Sequence, residues 1–281
     1  MAQKKISELT ELLSAVSNGD EFIINADGAT KKVKASLLAS SLVELFGSGT
    51  GGAGLHNSLF RGKNLGTVYT AEQMAQVQAG TFNDLWIGDY WVINRVTWRI
   101  AHFDYWMNCG DTATTKHHIV VVPDTNLYTV VMNSGDVTTG GYAGSEMRSN
   151  ALANALSTAK TAFNNHVLSV RRHFTNAVAN GRPSASAWFD SECDLMSEAM
   201  VYGNYVFSPT SDGTNVPANY NVDYKQLALF VLAPQFICNR AWYWLLNVVS
   251  AAFFAAVNGN GTAASIRASI GAGLRPTIAI S

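Results

Sequence analysis

The sequence predicts an α+β protein: short twisted sheets, one long and one short helix and long loops, preceded by a small separate module. Three observations carry this. Short runs rich in β-branched and aromatic residues recur from residue 89 to the end. Beyond residue 55 only two stretches show helical spacing. The segment GSGTGGAG, Gly47 to Gly54, holds five glycines in eight residues and no charge, which marks a linker and a boundary. The reading is therefore a module at 1–46, a linker at 47–54 and a domain at 55–281.

The elements follow in chain order. KISELTELLSAV sets Ile6, Leu9, Leu12, Leu13 and Val16 at helical spacing. DEFIINADGATKKVKASLL then reads as strand, Asp27-Gly28 turn and strand, with Phe22, Ile23 and Ile24 facing Val33 across a hairpin. Ser36 is placed to cap a last helix through Leu45. So short a module buries little apolar surface alone, so it is expected to pack on something else, as an attachment piece does.

In the larger domain, TAEQMAQVQAG opens on Thr70, three residues before Gln73, and stops at Gly80, which predicts a short capped helix. DYWVINRVTWRIAHFDYW reads as a strand pair, and HHIVVVPD as a buried strand ended by Pro123. From Ser145 to Asn180, Leu152, Leu156, Phe163, Val167, Val170, Phe174 and Val178 recur at spacings of three, four and seven. That predicts one long amphipathic helix closed by Gly181 and Pro183. The remaining hundred or so residues read as short strands and loops. Ala241 to Val257 is very apolar but shorter than the ~20 residues that span a bilayer, and Asn247 and Ser250 interrupt it. Buried strands are expected there, without membrane insertion.

Composition narrows the function. Hydrophobic residues make up 48% of the 281, enough for a sizeable core, while charged residues are only 14%, against about 25% in ordinary soluble domains. The surface must then be covered by small polar side chains or buried against other chains. With 19 basic and 20 acidic residues and no basic face, nucleic acid is not an expected partner. Cys109, Cys193 and Cys238 lie far apart without a CxxC pair, so buried free thiols are expected. No signal peptide is visible after Met1 to Lys5.

Catalytic patterns are thin. His117 and His118 are consecutive at a strand, so their side chains diverge. His166 and His173 fall two turns apart on the expected long helix, and His56 and His102 stand apart from both. Asp190, Glu192, Asp194 and Glu198 lack the glycine and closing glutamate of a calcium loop and read as solvated loop charges. There is no GxSxG, phosphate loop or dinucleotide fingerprint. Neither enzymatic activity nor a metal or other cofactor is expected.

The C-terminal segment carries a resemblance. Trp244-Leu245, the Val257 to Gly261 turn and the closing Gly273 to Pro276 element are similar to motifs of the C-type-lectin-like fold of the formylglycine-generating-enzyme kind. GGYAGSEMRSNAL, which holds Met147 and Arg148, resembles the lead into that family's main helix, and CDLMSEAMVYG resembles its next conserved segment. These elements, in the right order, cover most of 55–281. The resemblance implies structural roles for Met147, Arg148, Trp244, Gly261, Arg275 and Pro276. Leu246 stands where the family usually carries arginine, and Cys238 has no nearby cysteine of the kind the related enzymes need. Fold, not catalysis, is therefore what carries over.

Residues 1–46 resemble the opening segments of phage head-fibre and tail-fibre proteins, which anchor usually trimeric fibres to the particle. The combined layout implies a virion protein with a receptor-binding tip. Such lectin-like domains are also similar to the variable proteins of diversity-generating retroelements. That implies variable positions at Trp242, Phe253, Phe254, Ile266, Arg267 and Ile270, and a receptor-binding set at Trp242, Phe253, Asn258, Asn260, Ser265, Ile266, Arg267 and Ile270. Ile266 and Ile270 equally suit packing in the core. The expected partners are further copies of the chain in a trimer, a phage capsid or tail protein, and a bacterial surface glycan or protein. A head-decoration or fibre protein with no receptor is the alternative.

Overall fold

The computed structural model describes residues 19–26, 29–36, 52–208 and 225–281. The expected helix over 6–16, the Asp27-Gly28 turn and most of the expected helix up to Leu45 lie outside these. The chain divides into two units, Met1–Gly51 and Gly52–Ser281. In the first, β1 (Glu21–Ala26) pairs antiparallel with β2 (Ala29–Lys34). Phe22 lies opposite Val33 and both are half-buried, whereas Ile23, opposite Lys32, is 74% exposed. Strand side chains alternate between faces, so only part of the apolar run meets Val33.

The second unit begins with a single helical turn, α1 (Ala53–His56), which takes in Ala53 and Gly54 of the glycine-rich stretch. In α2 (Ala71–Ala79), Thr70 Oγ1 accepts the Gln73 N–H at 3.2 Å and Gln73 Oε1 accepts the Thr70 N–H at 3.0 Å. This capping box satisfies two helix-end donors reciprocally, and Gly80 closes the helix at a φ of +69°. β3 (Tyr90–Ile93) and β4 (Val96–Phe103) form the expected strand pair. The wholly buried β5 (Ile119–Pro123) lies beside β4, and β6 (Tyr128–Val130) follows.

The long helix expected over 145–180 is not one helix. A π-helical turn, Met147–Ala151, leads into α3 (Leu152–Phe163), and Asn164, at a φ of +53°, ends it. His166 lies in a 3-10 turn, followed by β7 (Val167–Leu168). Then β8 (Val170–Ala179) and β9 (Arg182–Ser191) form a long antiparallel hairpin. His173, expected two turns along the helix from His166, is on β8, its ring 4.8 Å from that of Trp188.

The physical reason is that a spacing of four suits both periods. It lies close to one turn of helix and is also a multiple of two, so Val170 and Phe174 line one strand face as readily as one helix face. Asn180 and Gly181, at φ of +53° and +73°, make the two-residue turn that this pair favours between strands.

Two sheets complete the unit. β10 (Asp194–Leu195), β15 (Pro276–Ile280), β5, β4 and β3 are neighbours in that order, all antiparallel, and β7 also pairs with β15. The second sheet uses β11 (Tyr243–Val248), β12 (Phe253–Val257), β13 (Ala263–Arg267) and β14 (Ala272–Leu274), ordered β13-β12-β11-β14-β6. There β11 and β14 run parallel and the other neighbours antiparallel. Short helices α4 (Glu198–Tyr202) and α5 (Ala228–Leu232) lie between β10 and β11 in sequence.

The architecture is thus mixed α+β, mostly sheet with few helices. The apolar run Ala241 to Val257 is β11, a turn and β12, and no helix among the described residues is long and apolar enough to cross a membrane. Phe163, at the end of α3, meets Tyr69, Trp91 and Trp98 edge-on, with ring centroids 5.9, 6.0 and 5.6 Å away. Such pairs each add about 0.5–1.5 kcal/mol beyond burial. They hold the helix end against β3 and β4.

Candidate functional site

β12 and β13 pair through five consecutive positions, from Phe253 opposite Arg267 to Val257 opposite Ala263. The turn between them is built by Asn258, whose Oδ1 accepts the N–H groups of Asn260 and Thr262 at 2.8 and 3.1 Å. Gly261 takes a φ of +86°, and a Cβ there would lie 2.9 Å from the Cβ of Cys238. Only glycine suits that combination of backbone and space. The turn therefore packs against the Cys238 segment, and the Cys238 thiol lies 3.2 Å from the Gly259 carbonyl. Cys109 and Cys193 are buried, Cys238 is half-buried, and all three are free thiols.

The residues assigned to the framework are held by contacts far apart in sequence. Trp244 is fully buried and its Nε1–H donates to the Val130 carbonyl at 2.9 Å. Arg275, also fully buried, donates to the carbonyls of Pro123 (2.8 Å) and Phe236 (2.9 Å), with its guanidinium over the Tyr243 and Phe230 rings. Pro276 opens β15 opposite Leu195. Met147 is buried in the core, and Arg148 lies over the Phe174 and Phe189 rings.

Of the eight residues expected to meet a receptor, six stand in two groups at opposite ends of the β12–β13 hairpin, roughly 15 Å apart at ~3.4 Å per residue, and Ser265 and Ile266 lie within β13. At the turn end stand Trp242, 44% exposed, and exposed Asn260. Asn258 spends its side-chain oxygen on the turn itself. At the other end, Arg267 lies over the ring of its cross-strand partner Phe253, 5.3 Å from the centroid, and Ile270 is 50% exposed. Ser265 sits between the groups, half-buried opposite Ala255. Phe254, expected among the variable positions, is instead fully buried, because its place in β12 turns it into the core; Ile266 opposite it packs against that core, so the two isoleucines divide between core and surface.

Sequence reasoning missed the loop residue that organises the second group. Asp136 takes Arg267 Nη1 at 2.9 Å and the Ser269 hydroxyl at 2.7 Å. The Ser269 hydroxyl, with help from Arg267, holds its carboxyl below the usual carboxylate range. The only signal was the turn-like segment NSGD. At the first group, Asn126 Nδ2 donates to the Trp242 carbonyl at 3.0 Å, and Asn239 Nδ2 donates to Asn126 Oδ1 at 2.7 Å.

The acidic run is not a solvated loop throughout. The Asp190 side chain is 77% exposed and Glu192 bonds to Lys160, but Asp194 and Glu198 are buried at 1% and 0%. Asp194 accepts the hydroxyls of Tyr142 and Ser191, and Glu198 accepts the backbone N–H groups of Val206, Phe207 and Ser208. Ser191 is three residues from Asp194, but Tyr142 comes from a distant segment and the Glu198 partners from the loop after α4, and these hydrogen bonds make burial of the carboxylates tolerable. His117 Nδ1 lies 2.7 Å from Asp104, while His118, fully buried, accepts the Trp106 N–H through Nε2. Among the described residues no group of three or more His, Cys, Asp or Glu side chains is arranged to hold a metal ion.

No family model, no curated protein and no solved structure matches the chain.

Proposed function

We propose that the chain is a phage virion fibre or adhesin. In this reading residues 1–46 anchor it to a capsid or tail protein, copies associate as a trimer, and the domain at 55–281 is a C-type-lectin-like tip that binds a glycan or protein on a bacterial surface. The observation that carries it is the division of labour in the C-terminal sheet. Trp244 and Arg275 are sealed in the interior, while Trp242 and Ile270, two and five residues away from them, stand exposed. A sheet built this way tolerates changed side chains at its ends without loss of its core, as a variable recognition surface requires. Trp242 and the Phe253–Arg267 pair offer large contact areas at low entropic cost. Three tips acting together would raise affinity by ~10²–10⁴, and burial between copies suits a chain with only 14% charged residues.

The test is binding of labelled full-length protein to a panel of intact gut-type bacteria, beside a Trp242→Ala, Phe253→Ala, Arg267→Ala variant. Strain-selective binding that the variant loses, with an unchanged melting profile, is the expected result. Absence of binding to every strain would favour a structural head-decoration or fibre protein instead.

A further inference from the structure

Two clefts adjoin away from the β12–β13 hairpin. The larger, about 640 Å³, is bordered by Thr114, Thr115, Lys116, Asn165 and His166. The second, about 420 Å³, is bordered by Arg148, Asp190 and residues of α3 including Leu152. Ser169 and Glu192 line both, so the clefts share a wall and continue one another. Each volume lies in the range of about 300–1,000 Å³ typical of ligand sites.

The lining selects a ligand class. Hydroxyls and an amide from Thr114, Thr115, Ser169 and Asn165 supply both donors and acceptors. Of the charged side chains in the lining, Arg148, Glu192 and Asp190 are already paired within the protein, with Asp194, Lys160 and Arg171, so no concentrated charge favours an anion such as phosphate or a cation. Several groups are already oriented. His166 Nδ1 is fixed 2.8 Å from a Ser281 oxygen, which leaves Nε2 as the ring's other polar atom. Glu192 is steadied by Lys160 at 2.8 Å. Arg148 is held over the Phe189 ring at 4.8 Å, with its Nε 3.6 Å from the Asp194 carboxylate. Hydroxyls, an amide and paired charges set beside the apolar Leu152, Ala153 and Leu156 suit a polyhydroxylated chain, whose rings carry both hydroxyl edges and apolar faces.

We propose that the two clefts form one groove that binds an oligosaccharide, at a site separate from both ends of the β12–β13 hairpin. The proposal rests on the adhesin reading for the origin of the sugar, a bacterial surface polysaccharide. The groove's chemistry itself is independent of that reading.

The test uses full-length protein and a defined set of probes: maltotriose, chitotriose, mannotriose, and polysaccharide released by mild acid from the bacterial panel. Saturation-transfer NMR and calorimetry are run on the wild type and on Ser169→Trp and Thr115→Trp, which fill the groove from exposed positions, with melting profiles as the folding check. Saccharide binding that weakens at least tenfold in both folded variants is expected. If that binding is present while no strain is bound, the groove stands and the adhesin reading falls. Cell binding that needs Trp242, with no probe bound or with binding unchanged by both tryptophans, overturns the groove and leaves the adhesin. Absence of both saccharide and cell binding overturns the two together.

Discussion

Arg172 and Asp194 face each other inside the domain, Nη1 to Oδ2 at 3.6 Å, with 2% and 1% of their side chains exposed. The Arg148 guanidinium stands at the same distance from the other carboxylate oxygen, and the Tyr142 hydroxyl donates to it at 3.0 Å. Two cations pull the Asp194 carboxyl down, yet burial outweighs them and holds it above the usual carboxylate range. The carboxylate's cost of burial is offset only while its partners stay in place. Asp194→Asn should therefore cost about 3–5 kcal/mol in urea denaturation, because it leaves buried guanidinium charge without its counter-charge. The double variant Arg172→Met, Asp194→Leu should recover only part of that loss, because the Arg148 guanidinium and the Tyr142 hydroxyl still lose their acceptor. A single-variant cost below about 1 kcal/mol would show that the pair is not a main electrostatic contact of the interior.

Arg275 is expected to resist even conservative change. Its fork reaches the carbonyls of Pro123, Phe236 and Ile237 while its plane lies over two rings, and a lysine ammonium reproduces neither arrangement. Hydrogen bonds from a charged group are worth about 1.5–3 kcal/mol. Arg275→Lys should lower the melting temperature markedly, and a variant that melts with the wild type would refute the assignment.

Glu198 clamps the segment that follows α4. Its two oxygens accept three N–H groups, from Val206 at 3.2 Å and from Phe207 and Ser208 at 2.9 Å. Glu198→Gln turns an NH₂ toward at least one of those donors, at about 1–3 kcal/mol for an unsatisfied buried group. Amide exchange at 206–208 should accelerate, with β4 and β5 protected as before. Unchanged exchange at 206–208 would rule the clamp out.

Burial lowers the pKa of His56, His102, His118 and His173 and so gives the stability a pH dependence, in which His102 and His118 are the most deeply enclosed. His102 Nδ1 accepts the Ala228 N–H at 3.0 Å and His118 Nε2 accepts the Trp106 N–H at 3.1 Å, so each ring is held neutral. Burial, followed by Lys225 beside His102, pushes its pKa well below the ordinary histidine value; burial also lowers that of His118, against the pull of the Lys116 carbonyl and Asp104. With folded values depressed, the unfolded chain binds more protons below pH 6.5. This part of the stability is complete above pH 6.5 and is lost as pH falls below it. Asp194, with its raised value, acts with the opposite sign from pH 3.8 upward. The discriminating measurement is the difference between wild type and His118→Gln in urea midpoints from pH 7.5 to 5. The variant's midpoint should fall less steeply, and parallel curves would exclude the histidine contribution.

The candidate site was legible in part. Trp242 and Ile270 stand exposed because both flank strands rather than lie within them. Ile266 sits inside β13, where the face of each side chain is set by pairing with β12, and Phe254 opposite it belongs to the core. Asp136 comes from a loop more than 130 residues away from Arg267, a separation that no local pattern reports. The clefts around Ser169 and Glu192 are likewise assembled from segments with no pattern in common.

By itself the sequence determined what depends on neighbours in the chain. The Thr70–Gln73 capping box, the β3–β4 pair, the buried β5 and the two strands hidden in the most apolar stretch all follow from local propensity and short-range periodicity. Only tertiary structure decided between periods that local spacing leaves equal. Val170 to Val178 suits a helix or a strand, and partnership with β9 decided for the strand. The same holds for charge. Asp194 and Glu198 read as solvated until Tyr142, Arg172 and the backbone at 206–208 surround them. Burying a carboxylate is unfavourable unless such partners converge, and convergence is a property of the folded chain alone.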